Sequence, residues 1–205
     1  MASATDQYAF FVEGLASLSK FDDLDSNIKK YALAAINDSL DFARAEGARV
    51  MLTEVAFPDD YLSAKGGRFS VSRRATQGSL EGAITARQRA TSLARFSSGS
   101  VGESPIVGVR RGKGGVKLPR AFLMKLKSGN SDTRNNLGLA VRLKKGEALK
   151  KSHAAAEIGK GLFLLYGPSV DQVFRNLVNG ETAYVRRVED RLEGEFMRLL
   201  ETFNV

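Results

Sequence analysis

The residues best placed to do chemistry lie in the glycine-rich stretch 108–115, where Arg110, Arg111 and Lys113 are interleaved with four glycines. Such a stretch can cradle a phosphate when backbone N–H groups and a lysine surround the anion. The spacing here does not fit: no glycine stands five positions before Gly112, and neither Ser nor Thr follows Lys113. The stretch reads instead as a solvated basic hairpin. His153 is the only histidine and there is no cysteine, so a transition-metal site would need carboxylates alone, and no acidic cluster has the spacing of a calcium loop. No G-x-S-x-G elbow is present, and a Ser-His-Asp arrangement would depend on His153 in a lysine- and alanine-rich segment. The acid pairs Asp22/Asp23 and Asp59/Asp60 stand at expected helix starts, where capping is the ordinary role of aspartate. Neither catalysis, a cofactor nor a metal is expected.

What remains chemically distinctive is charge. The chain of 205 residues carries a net +8. Residues 65–127 hold 14 Lys and Arg against 2 acids, and the remainder holds 17 against 21. A basic middle between mildly acidic ends suits either nucleic acid or complementary faces on neighbouring copies. The absence of cysteine fits folding in a reducing cytoplasm. No apolar run approaches the roughly 18 residues of a membrane span, and residues 1–7 lack the features of a secretory leader, so a soluble protein is expected.

The elements that must carry these charges can be read in order. Residues 8–12 form an aromatic and β-branched strand. Residues 22–55 form one long helix with acids in its first turn and alanines on its inner face, which suits close packing on a sheet. Pro58 opens a short second helix near residues 57–62. Residues 68–75 and 80–90 are strands whose outer faces carry Arg73, Arg74, Arg87 and Arg89. Strands follow at 106–109, 121–126 and 137–143. Loops near 63–68, 97–104 and 110–115 are expected to be flexible, and the basic insertion 144–160 is expected to be a helix or a mobile loop. The five-residue apolar run 162–166, bounded by glycines, is a buried strand. Gly167 and Pro168 end it. Ser169 and Gln172 have the spacing of a capping box for the next helix. After Asn179 and Gly180, residues 181–203 repeat apolar side chains at steps of three and four, as an amphipathic helix does.

Around that last junction the string Leu164-Leu165-Tyr166-Gly167-Pro168-Ser169-Val170, with Gln172 and Phe174 behind it, resembles the "LYGPSV.Q.F" signature near the C-terminus of the minor tail protein Z family. These are the tail completion proteins of lambda-like tailed bacteriophages. The upstream order resembles the family as well: a long helix, a proline, basic strands, an arginine-phenylalanine pair at Arg95 and Phe96, a basic glycine-rich hairpin, and then a proline followed by Ala121-Phe122. Arg120 departs from it, since many members have glycine there. The likeness covers most of residues 8–178 and is specific at the signature.

The resemblance implies a single α+β domain, with a long N-terminal helix packed on a mostly antiparallel sheet and a C-terminal helix. It implies a structural virion protein of the neck or upper tail, assembled in the host cytoplasm, that completes the tail and joins it to the head. Copies would form a sixfold or twelvefold ring beside tail terminator, tail tube or connector proteins, with genomic DNA as cargo in the channel. Tyr166, Gly167, Pro168, Ser169, Gln172 and Phe174 would serve fold and placement. Charge asymmetry adds a partner surface built from Arg73, Arg74, Arg87, Arg89, Arg110 and Arg111. The alternative is a nucleic-acid-binding protein using residues 65–127. That segment is short of stacking aromatics, with only Phe69, Phe96 and Phe122.

Overall fold

The computed structural model describes residues 7–11, 26–99, 104–126, 136–149, 154–180 and 182–203. Its elements run β1 (Gln7–Phe11), α1 (Ser26–Glu54), β2 (Phe69–Arg73), β3 (Ala83–Arg87), β4 (Thr91–Ser92), β5 (Ser97–Ser98), β6 (Ile106–Val107), β7 (Val116–Lys117) and β8 (Ala121–Lys125). They continue with β9 (Leu137–Arg142), β10 (Ala155–Gly159), β11 (Leu162–Gly167), α2 (Val170–Gly180) and α3 (Thr182–Phe203). The class is α+β and, among the described residues, every strand pairing is antiparallel. The chain divides into two compact units, one of Met1–Met51, Leu62–Gln88 and Asp171–Val205, the other of Leu52–Tyr61 and Arg89–Val170.

The first, helical unit is built on α1. Ala32, Ala35, Ala43 and Gly47 on its inner face are buried and short, which lets the helix approach closely. Below it lies a three-stranded sheet in the order β1-β3-β2. A side chain at Gly82, just before β3, would run into buried Leu40 of α1, so the absence of a Cβ there sets the helix-to-sheet distance. Phe69 of β2 is fully buried and meets Phe174 of α2 edge-on at 4.8 Å. Tyr184 of α3 stacks its edge on the same Phe174 at 6.3 Å, and its hydroxyl donates to the Ala43 carbonyl at 2.9 Å. Arg191 of α3 reaches Asp38, while Tyr184 lies beside Ala43 and Gly47, so α3 runs antiparallel to α1.

The second unit is mostly β. Its main sheet has the order β10-β11-β9-β8, with β4 pairing the far end of β11 through Tyr166 and Ser92. Leu123, Leu139, Ala140, Leu164 and Leu165 are buried in it. Phe57 stacks on Tyr61 at 5.3 Å and tilts against Phe96 at 5.6 Å, forming a second apolar cluster. Tyr61 donates to the Thr91 hydroxyl at 3.3 Å, and the Arg95 guanidinium lies 5.3 Å from the Tyr61 ring centre. β5, β6 and β7 make a separate small sheet.

Several expectations need correction. Residues 58–62 form turns and no helix: Tyr61 N–H donates to the Pro58 carbonyl at 3.1 Å, and Asp60 takes a left-handed φ of 60°. Aspartate tolerates that conformation, but a helix does not propagate through it. Residues 155–159, inside the basic insertion, are strand β10 at the sheet edge, neither helix nor loop. Ser97 and Ser98 are strand β5, and residues 64–66 form a 3-10 turn closed by Gly67 at φ 62°, so two of the expected loops carry regular structure. The acids at 22, 23 and 25, Lys127, residues 100–103 and His153 lie outside the described residues.

Candidate interaction surface

The basic hairpin expected at 110–115 connects β6 to β7. Its root is fixed by main-chain bonds: Arg111 N–H donates to the Glu54 carbonyl at 2.9 Å, Ala56 N–H to the Val109 carbonyl at 2.8 Å, and Arg110 bridges Val55. Gly112 turns the chain at φ 74°, a conformation costly for any residue with a Cβ. The turn carries Arg110, Arg111 and Lys113 into solvent, and Lys117 on β7 is exposed too. Among the described residues none of the four has an ion-pair partner. Two aliphatic side chains share that exposure, Ile106 at 48% and Val116 at 63%. The β6–β7 strands thus hold cations and aliphatics in water together, Ile106 on the face of Lys117 and Val116 on the other.

The remaining expected arginines behave differently. Arg73 ends β2 and bonds Glu81 at 2.9 Å, while Arg74 grips Asp41 of α1 with two bonds of 2.6 and 3.0 Å. The Asp41 hydrogen bond pushes the Arg74 guanidinium above its ordinary pKa. Arg73 pairs with Ala83 at one end of β3 and Arg87 stands at the other end, so they do not form one cluster, and Arg74 and Arg89 lie outside the strands. Arg73, Arg74 and Arg87 belong to the helical unit, Arg89, Arg110 and Arg111 to the β unit. Arg73 and Arg74 are engaged with acids of their own chain.

Charge follows the same division. The β unit holds 16 Lys and Arg against 7 Asp and Glu, a surplus of nine, whereas the helical unit holds 15 against 16. The positive character of the whole chain thus belongs to the β unit. One of its cations is neutralised locally, since Arg120 and Glu147 form a two-bond pair of 3.2 and 2.5 Å. That contact, with the Lys144 N–H, holds the Glu147 carboxyl below the usual carboxylate range.

The signature residues occupy a strand-to-helix junction. Gly161 makes the tight turn between β10 and β11 at φ 66°, with the Leu143 carbonyl close by. In β11, Leu164 and Leu165 are buried on opposite faces, and Tyr166 is half-buried. Gly167 lies against the Phe96 ring: a Cβ there would sit 2.9 Å from Phe96 and 3.4 Å from Leu93. Gly167→Ala is therefore expected to destabilise by about 1–3 kcal/mol, as overpacking does, which a denaturant melt reads directly. Ser169 is buried at the residue before α2, the position of a helix cap, and Gln172 is exposed. Val173, Phe174 and Leu177 turn their side chains inward. Asp171, in the first turn where the positive helix end favours an acid, is buried and paired with Arg175.

Sequence reasoning passed over Asp171, Tyr184 and Arg44. Arg44 of α1 donates Nε to the Phe69 carbonyl at 3.2 Å and Nη2 to the Leu62 carbonyl, with no carboxylate partner among the described residues. Burial lowers its pKa. Its position on the apolar side of α1 was the available signal. No group of metal-ligating side chains and no helix long and apolar enough to cross a membrane occurs among the described residues. Neither family models nor curated proteins nor solved structures give a match to the chain.

Proposed function

We propose that this chain is a structural protein of the neck or upper tail of a tailed bacteriophage, completing the tail and joining it to the head as one subunit of a ring around the DNA channel. The supporting observation is the β11–Gly167–Pro168–Ser169–α2 junction, which occurs in an α+β fold with a long helix on an antiparallel sheet, the setting that the tail completion resemblance implies. Its work is contact with other copies and with neighbouring neck or tail proteins, and it needs no catalytic step. A mass-spectrometric inventory of purified particles tests this: peptides of the chain should be present at several copies per virion. Particles lacking them, from a lysate that contains the chain, rule the reading out.

A second reading, binding to nucleic acid, is favoured by the nine-charge surplus of the β unit. Phosphate contacts release counterions, so affinity for duplex DNA would fall steeply with salt. Against it, Phe69 and Phe96 are buried and unavailable for stacking on bases.

A further inference from the structure

We propose that the β6–β7 hairpin of one copy docks head to tail on the outer face of α3 of a second copy. The contact deepens the ring assembly above and rests on it for its biological setting. On α3, Glu189, Asp190, Glu193, Met197 and Glu201 are all exposed. At 3.6 residues per turn they fall within an arc of about 120°. Arg186 is the one cation in that arc, at its N-terminal end. The opposite side of the helix is occupied, with Tyr184, Val188 and Leu192 buried and Arg187, Arg191 and Arg198 engaged with Glu46, Asp38 and Glu195. Among the described residues the four outer acids have no ion-pair partner. Met197, 51% exposed, stands in their midst as a large apolar side chain that α3 leaves in water.

The hairpin is the counterpart in both respects. Arg110, Arg111, Lys113 and Lys117 match the acids in number and opposite sign, and Ile106, on the same face of the ladder as Lys117, gives Met197 aliphatic surface to cover. A duplex would satisfy the cations but leave Ile106 against phosphates, whereas the α3 stripe takes both charge and aliphatic surface. The two surfaces are different patches of one chain, so their pairing is heterologous and propagates until it closes or forms a filament. One such contact is small and charge-dominated, so it should be weak and salt-sensitive, gaining strength when a ring closes.

The experiment is sedimentation of the full chain over a concentration series at about 50 mM and about 0.5 M salt. The wild type should self-associate at low salt. A hairpin variant, Arg110→Glu with Arg111→Glu and Lys113→Glu, should weaken association at least tenfold, and so should a stripe variant, Glu189→Lys with Asp190→Lys and Glu193→Lys. Mixing the two variants should restore it, because each then offers the surface that the other has inverted. All substituted residues are exposed, so thermal melts should coincide with wild type. Oligomers unchanged in both variants overturn this contact while leaving the ring intact. A monomer at every concentration overturns the contact as well. If that monomer binds duplex DNA and the hairpin variant does not, the hairpin is a nucleic-acid surface and the assembly reading fails with it.

Discussion

Tyr184→Ala is expected to remove about 3–5 kcal/mol of stability, the range for truncating a buried aromatic, out of the roughly 5–15 kcal/mol that holds a domain together. The ring is fully buried at the meeting point of α1, α2 and α3, edge-on to Phe174, and its hydroxyl lies where a Cβ on Gly47 would be only 3.1 Å away. Tyr184→Phe keeps the packing and loses only the bond to the Ala43 carbonyl, so about 1 kcal/mol is expected. Denaturant melts of both variants check the pair. Equal losses would mean that the hydroxyl, and not the ring, holds α3 in place.

The same residue makes stability depend on alkaline pH. Burial pushes the Tyr184 phenol above its ordinary value of 10, and the Glu46 carboxylate adds to the shift while Arg187 opposes it. The folded value therefore exceeds the unfolded one. Its contribution is fully present below the unfolded pKa and is lost as pH rises toward the folded one, at about 1.4 kcal/mol per pH unit. Above pH of about 10 the wild type should lose stability with a slope one proton steeper than Tyr184→Phe. Parallel curves would show a phenol that ionises freely in the folded state.

Periodicity made α1 and α3 legible, because each buries one set of apolar side chains, and an unbroken apolar run between glycines did the same for β11. The β10 strand was not, since Ala155 to Gly159 alternates nothing and its residues are mostly exposed; pairing with β11 makes it a strand. The turn at residues 58–62 depends on Asp60 in the left-handed region, and Pro58 and the acids could equally have opened a helix. Charged residues were legible in number and not in role. Arg74 meets Asp41, distant in sequence and unforeseeable from local pattern, and this removes it from the candidate surface. Reversing Arg73 and Arg74 to Glu would set like charges beside Glu81 and Asp41, so failed assembly in that variant would report the fold as much as a partner. The hairpin cations, with no such partner among the described residues, are the sharper probe.

Arg44 shows how far a charge can serve the fold alone, and Arg44→Met should cost about 3 kcal/mol. Two donors of one guanidinium reach the carbonyls at both ends of residues 62–69, Leu62 and Phe69, and the cation lies 5.9 Å from the Phe69 ring centre. Hydrogen bonds involving a charged group contribute about 1.5–3 kcal/mol each, partly offset by the desolvation that lowers its pKa. Methionine keeps much of the stem's packing, so the loss isolates the polar clamp. Arg44→Lys should recover less than half, because one ammonium on a flexible stem cannot span both carbonyls as a planar fork does. With the clamp gone, residues 63–68 lose their tie to α1, and hydrogen exchange should accelerate at Gly66 and Gly67, whose N–H groups bond within the 3-10 turn. A fully stable Arg44→Met, with exchange unchanged there, would mean that the turn holds itself and the arginine merely rests on it.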